Sequence, residues 1–357
     1  MEVFVGEFEY KENKRREYRE KSEILLRDLP NFCRTYERGI EGTVTEITIY
    51  SYLQRLHVFF TFLHDNNSFF SKKEITRFTY DDLTVLEAED IEEFNHYIRS
   101  GKASNGRGNK ESSVNHYLCA LNSFWDYAIT HGRLRHNVIK DVKRGKKKKR
   151  EVITLNSDDE SGLFQSVNCG TNLTDHQAAY RNDVTIARDN AICLTLVRTG
   201  LRVSELVGIN LEDINFKDCY FHVNRKEDKI DNVYFSDQVK EALEEYLRLR
   251  PLLQPSPDEH ALFLVTIGKY KGTRLSVRSV QLLVKKYAVA GSPGVGTKMT
   301  PHKMRSTYAT NLLRASGSDL TLVQEALNHE SPSTTSIYLK KREQDLKNAR
   351  NIIDGQS

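Results

Sequence analysis

Residues 301–342 read PHKMRSTYATNLLRASGSDLTLVQEALNHESPSTTSIYLKKR. His302 and Arg305 stand three apart, so on a helix they share one face. His329 and Tyr338 follow, nine residues apart, across the turn-forming run Glu330-Ser331-Pro332-Ser333. Between the two pairs, Leu312, Leu313, Leu320, Leu322, Val323, Ala326 and Leu327 recur at helical spacing. This pattern predicts three helices, each bringing a cationic or phenolic group to a common point. Two imidazoles, a guanidinium and a phenol suit a phosphodiester better than a carbonyl or a metal.

The chain around this stretch has 357 residues, long enough for two cores, with 38% hydrophobic and 29% charged residues. No apolar run approaches the roughly 18 residues of a membrane span, and the N-terminus turns charged within a few residues, unlike a signal peptide. The expected setting is soluble and intracellular, without membrane contact. Cys33, Cys119, Cys169, Cys193 and Cys219 are scattered, odd in number and free of CxxC spacing, so neither a disulfide framework nor a cysteine zinc site is expected.

Net charge is only +4, and its distribution says more than its sum. Asp81, Asp82, Glu87, Glu89, Asp90, Glu92 and Glu93 crowd one segment. Arg133, Arg135, Lys140, Lys143, Arg144, Lys146, Lys147, Lys148, Lys149 and Arg150 crowd another, against Asp141 alone. A polyanion would be drawn to the second and repelled by the first. The run 143–150, KRGKKKKR, suits a solvated linker, a nuclear localisation signal, or a linker crossing a DNA backbone with salt-dependent affinity.

Helical periodicity organises the chain up to residue 142. A short helix is expected around Ile24–Cys33 after a loose start, then helices over 45–65, 88–100 and 111–131, with no strand before residue 150. The expected division is a helical unit 1–142, a basic linker 143–155 and a second unit 156–357. In that second unit Arg188–Thr199 reads as a core helix ended by Gly200. Three short strands follow, Ile214–Phe216, Tyr220–Val223 and Val233–Phe235, as a small antiparallel sheet. Ser236–Leu249 and Ser276–Tyr287 read as helices, the latter approaching DNA through Arg278, Lys285 and Lys286.

The candidate chemistry lies in the second unit. Arg202 follows a helix-ending glycine, where its guanidinium would be held rigidly; alone, an arginine there is usually a surface charge or a cap. Paired with Arg305, it would offer forked donors to the non-bridging oxygens of one phosphate. Lys226 sits in the hairpin turn, ordinarily a solubilising position, yet an ammonium there would reach a leaving 5′-oxygen; Lys229 is its rival. A phenol such as Tyr338 is a poor nucleophile near neutral pH unless cations and a base surround it. Neither a serine or cysteine nucleophile elbow nor metal-ligand spacing is present.

Taken together, TGLRVSELVGINLEDI (199–214), HVNRKEDKIDNVYF (222–235), TPHKMRSTYATNLL (300–313) and LNHESPSTTSIYLK (327–340) resemble the tyrosine recombinases, or phage integrase family, in a Xer-like two-domain form. The resemblance implies a mainly α fold with a small antiparallel sheet: an all-helical, SAM-like core-binding domain followed by an α+β catalytic domain. It implies that Arg202 and Arg305 bind the scissile phosphate and that His329 adds a hydrogen bond. Lys226 would be general acid, His302 would assist as general base, and Tyr338 would attack to give a 3′-phosphotyrosyl link. No cofactor or metal is implied. The implied partner is double-stranded DNA carrying specific recombination sites, bound by a homotetramer, with linker residues Lys146, Lys147, Lys148, Lys149 and Arg150 on its backbone. The use would be integration or excision of a mobile element, or Xer-like multimer resolution. The alternatives are a catalytically silent DNA-binding relative and a type IB topoisomerase-like enzyme. Leu346, Ala349, Ile352 and Ile353 would dock in cis or on a neighbouring subunit. Two departures from the family pattern stand out. The turn 225–229 is more acidic than the glycine-rich turn of Xer-type members, and Ser306 follows Arg305 where many members have histidine.

Overall fold

A computed structural model describes residues 5–102, 111–145, 152–225, 230–317 and 319–328, with side chains from residue 12 onward. The chain divides into two compact units, residues 9–149 and residues 150–357, the first eight residues grouping with the second. No described helix is long and apolar enough to cross a membrane.

The N-terminal unit is built from helices among its described residues: α1 (Val5–Leu25), α2 (Asn31–Ile40), α3 (Glu46–Asn66), α4 (Tyr80–Leu83), α5 (Ala88–Arg99) and α6 (Glu111–Thr130). Thr45 caps α3 by accepting the Thr48 amide, and the expected stripe Ile49, Leu53, Leu56, Phe60 and Leu63 is buried. α6 buries Val114, Leu118, Leu121, Phe124, Trp125 and Ala128 against it. Aromatic rings knit the core, with Phe59 and Phe94 edge-to-face at 5.0 Å and Phe32 and Phe124 tilted against each other at 5.3 Å.

The start of the chain differs from expectation. Residues 5–25 form a 21-residue helix rather than a loose segment, supported by Lys14–Glu17 and Glu17–Lys21 pairs one turn apart. The apolar face over Ile24–Cys33 is split between two helices, because Pro30 stands at the boundary and cannot continue the first. The acidic segment is not purely repulsive charge either. Asp82 is buried, bonded to Thr79 and to Lys73, and Asp90 accepts the Glu87 amide and the Asn67 side chain.

The second unit holds α7 (Ser157–Cys169), α8 (Asp175–Ala178), α9 (Asp183–Thr199), α10 (Val203–Gly208), β1 (Ile214–Asn215), β2 (Tyr220–Asn224), β3 (Ile230–Tyr234), α11 (Asp237–Leu249), α12 (Val277–Gly291), α13 (Pro301–Ala315) and α14 (Leu320–Leu327). The strands form an antiparallel sheet in the order β1-β2-β3. α9 is the pillar of the unit. It begins at Asp183, five residues before the expected start, because Asn182 caps it. It packs on α7, α11 and α13 and is buried on nearly every side. β3 starts at Ile230 rather than Val233, since pairing with β2 extends to Asn224 opposite Ile230; cross-strand register overrides the polar composition of residues 230–232.

Candidate active site

Three local devices assemble the site. Gly200 ends α9 with φ of 66°, a left-handed conformation that glycine adopts freely, and turns the chain so that Arg202 becomes the first residue before α10. Glu205, three residues on, then caps α10: one carboxylate oxygen accepts the Arg202 amide at 2.7 Å and the other accepts the Arg202 Nη1 at 2.6 Å. Thr300 caps α13 and Pro301 occupies its first turn, which places His302 at the N-terminal end and Arg305 one turn later on the same face.

Long-range contacts bring these pieces together. Arg305 is 3% exposed. Its Nη1 donates to the Gly200 carbonyl at 2.6 Å, and its Nη2 donates to the Leu327 carbonyl at the end of α14. One guanidinium therefore ties the ends of α9 and α14 to α13. The buried Glu205 carboxylate also lies 4.0 Å from Arg305 Nη1, so a single anion is shared by both arginines. Arg202 keeps part of its side chain in solvent. At its other end, α10 is closed by Arg274, whose Nη1 donates to the Val207 and Gly208 carbonyls at 2.8 and 3.1 Å. α10 is thus clamped at both termini, and Arg202 sits on a rigid element.

His302 presents its outer side to solvent. Burial of its inner side, then the charges of Lys303, Arg305 and Arg202, hold its pKa below the ordinary value of 6.5. The shift favours the uncharged imidazole, the form that can accept a proton. Tyr308, one turn beyond Arg305, has its phenol pushed up by burial, with Arg305 and Arg225 pulling the other way.

The structure brings Arg202, His302 and Arg305 together. Lys226, its rival Lys229, His329, Tyr338 and the C-terminal tail lie outside the described residues, as do Lys146, Lys147, Lys148, Lys149 and Arg150. Their chain neighbours are placed: Asn328 ends α14 in a left-handed conformation, with φ of 46°. His329 is thus two residues past the Leu327 carbonyl that Arg305 holds. Of the basic residues expected on α12, Arg278 and Lys285 are exposed. Lys286 instead turns inward to lie 3.6 Å from the buried Asp189, which also accepts from the Tyr287 hydroxyl at 2.8 Å. Asp189 Oδ1 already accepts from Arg188 Nε and Nη2, so Lys286 joins a buried charge cluster instead of facing solvent.

Two residues escaped the sequence reading. Glu205 was legible in principle, as an acid three residues after an arginine at a helix start. Arg225 was assigned to the exposed turn, yet it is 6% exposed. Its signal was the alternation Phe221, Val223, Arg225 on one face of β2.

The family profile described as Phage integrase family matches residues 172–345. The tyrosine recombinase XerC of Thermodesulfovibrio yellowstonii is 34% identical over 252 residues, covering 70% of this chain and 76% of that protein. XerC of Vibrio cholerae is 35% identical over 233 residues, covering 65% and 68%. Among solved structures, the XerH site-specific recombinase bound to palindromic difH substrate aligns with a TM-score of 0.61 at 20% identity, over 87% of this chain and 81% of that one. The Tn1549 transposon integrase in complex with transposon right end DNA aligns at 0.63 and 18% identity, over 86% and 93%; these two likenesses concern the fold. The arginine pair with His302 beside it and the sequence relatives agree, and the chain belongs to the phage integrase family as a Xer-like tyrosine recombinase, an enzyme that breaks and rejoins DNA.

Proposed function

We propose that Tyr338 is the nucleophile of this recombinase and that Arg202, Lys226, His302, Arg305 and His329 serve its reaction at a specific DNA site. The Tyr338 oxygen attacks the scissile phosphorus while its proton passes to His302. The bond from phosphorus to the 5′-oxygen breaks, and the leaving oxygen takes a proton from Lys226. Arg202 and Arg305 donate to the non-bridging oxygens, where charge grows in the pentavalent transition state, and His329 adds a hydrogen bond. The product is a 3′-phosphotyrosyl link and a free 5′-hydroxyl. Attack by a 5′-hydroxyl from a partner strand reverses each step, and the phosphotyrosyl bond retains the energy for rejoining.

The carrying observation is the tie from Arg305 to Gly200 and Leu327, which gathers the arginine pair, His302 and the chain leading to His329. Four copies on two DNA sites would supply paired strands, acting in the cytoplasm. The relatives' name, tyrosine recombinase XerC, supports the Xer-like reading, and multimer resolution and mobile-element integration are the two uses it leaves.

The test is a suicide assay on nicked duplex carrying a binding site recovered by selection from a random pool. Wild type should form a covalent adduct, with or without chelator, and Tyr338→Phe should bind equally but form none. Adduct formation by the phenylalanine variant would reassign the nucleophile; no adduct from either protein on a bound site would sink the reading.

A further inference from the structure

The second unit contains a long stretch of one sign. Between Glu259 and Asp319 the chain carries no carboxylate side chain, while Lys269, Lys271, Arg274, Arg278 and Lys285 follow one another there. Lys269 and Lys271 flank Tyr270 at the tip of a hairpin, residues 264–274, that leads into α12. The hairpin is rigid. A bridge between Leu264 and Arg274 closes its base. The Val265 amide donates to the Thr273 carbonyl at 2.8 Å, and the Gly272 amide donates to the Val265 carbonyl at 2.9 Å. At the tip the Lys271 amide donates to the Gly268 carbonyl at 3.1 Å. Gly268 and Gly272 supply the positive φ, 81° and 84°, that so tight a turn needs.

The base of the hairpin is bolted to the elements that build the site. From α9, Arg188 Nη1 donates to the Leu264 carbonyl at 2.9 Å and the Thr185 hydroxyl donates to Thr266 at 3.1 Å. Arg274 closes the C-terminal end of α10, at whose other end stands Arg202. From Arg202 to Gly208 the helix rises about 9 Å, and the hairpin reaches at most about 13 Å beyond Arg274. With the Arg274 side chain between them, the tip stays within one turn of B-DNA, about 34 Å, of a phosphate held by Arg202. What the tip presents is unusual for a connector, which small polar residues would serve. Both lysines are exposed, and neither pairs with a carboxylate among the described residues. Tyr270 is 65% and Ile267 44% exposed, so a ring and an aliphatic chain stand in water with no core beneath them. Lys269 Nζ lies 5.8 Å from the Tyr270 ring centroid, which keeps ammonium and phenol side by side. Two ammonium groups without a counter-ion, on a stretch free of carboxylates, suit the dense and regular charge of a duplex backbone.

We infer that the tip 268–271 is a further DNA-binding site of this chain: Lys269 and Lys271 each neutralise a backbone phosphate within one turn of the scissile phosphate, and Tyr270 lies along the sugar–phosphate chain between them. Such contacts fix the register of the protein on the duplex and read no bases. The inference rests on the reading of the second unit as the one that cleaves DNA.

The experiment measures binding of the full-length protein to the selected duplex by fluorescence anisotropy across a salt series, with a hydroxyl-radical footprint of the same duplex. The double variant Lys269→Ala/Lys271→Ala should flatten the slope of log affinity against log salt by about 1.8, or about 0.9 for each phosphate released. It should also lose protection of one patch of backbone within a turn of the scissile phosphate. Lys269→Arg/Lys271→Arg keeps both charges and should hold the wild-type slope. Each single alanine variant repeats the test with a fall of about 0.9. Lys217→Ala/Lys240→Ala controls for bulk charge, since these lysines stand beside Asp218 and Glu241, and should leave the slope unchanged. An unchanged slope in the tip alanine variants, an equal fall in the control, or an intact footprint would overturn the inference and leave the tip to an acidic protein surface. The reading of the reaction fails separately: wild type that binds this duplex but forms no adduct sinks the nucleophile assignment, and the slopes still decide the role of the tip.

Discussion

Glu205 carries more of the site than its charge suggests. It caps α10, orients Arg202 and lies beside Arg305. Glu205→Gln keeps the shape but removes the anion between two cations. It should leave DNA binding nearly intact and lower single-turnover cleavage by about 100-fold, as expected when a reacting group is misplaced by an ångström. His302 makes a pH prediction. Its folded pKa lies below 6.5 because burial and then neighbouring cations disfavour the imidazolium. Cleavage at limiting DNA should stay level down to pH 6.5 and fall only below it, and that acid limb should vanish in His302→Gln. The linked stability has the same sign: the unfolded chain takes up the proton first, so the contribution of His302 is complete above pH 6.5 and is lost as pH falls towards the folded value. Thermal melts of wild type and His302→Gln across that range measure it.

At the scale of elements, the junction between α9 and α10 is tightly constrained. Gly200 has positive φ, and a Cβ there would run into the Tyr308 ring. Gly200→Ala should cost about 1–3 kcal/mol in urea unfolding, the usual range for a residue forced into the left-handed region. It should also slow cleavage, because the Gly200 carbonyl that holds Arg305 would shift. Unchanged stability would mean that the turn relaxes by moving Tyr308, and cleavage would then report that movement. α12 illustrates how an element divides its labour. Its exposed Arg278 and Lys285 are available to a polyanion, while Lys286 answers a buried carboxylate.

At the scale of the molecule, two helical cores are joined through the most basic stretch of the chain. We propose that Lys146, Lys147, Lys148 and Lys149 neutralise DNA phosphates. Replacing all four with alanine should flatten the dependence of log affinity on log salt by about 3–4 units, since each neutralised phosphate contributes about 0.9. Fluorescence anisotropy across a salt series measures the slope. An unchanged slope would return the segment to the role of a solvated connector.

Much of the fold is written in local periodicity. The stripe of α3, the apolar face of α6 and the glycine ending α9 each depend on residues three or four apart, so composition and spacing suffice for them. The order Arg202, Lys226, His302, Arg305, His329, Tyr338 is likewise a property of the chain alone, and it pointed to the family. Other features depend on which faces meet across more than twenty residues, and spacing does not encode that. Only the tertiary structure made Arg305 a buried clasp on the Gly200 and Leu327 carbonyls, turned Arg225 and Lys286 inward, and placed one carboxylate between two guanidiniums. A charged side chain looks the same in sequence whether water or a buried partner will satisfy it, and packing decides which.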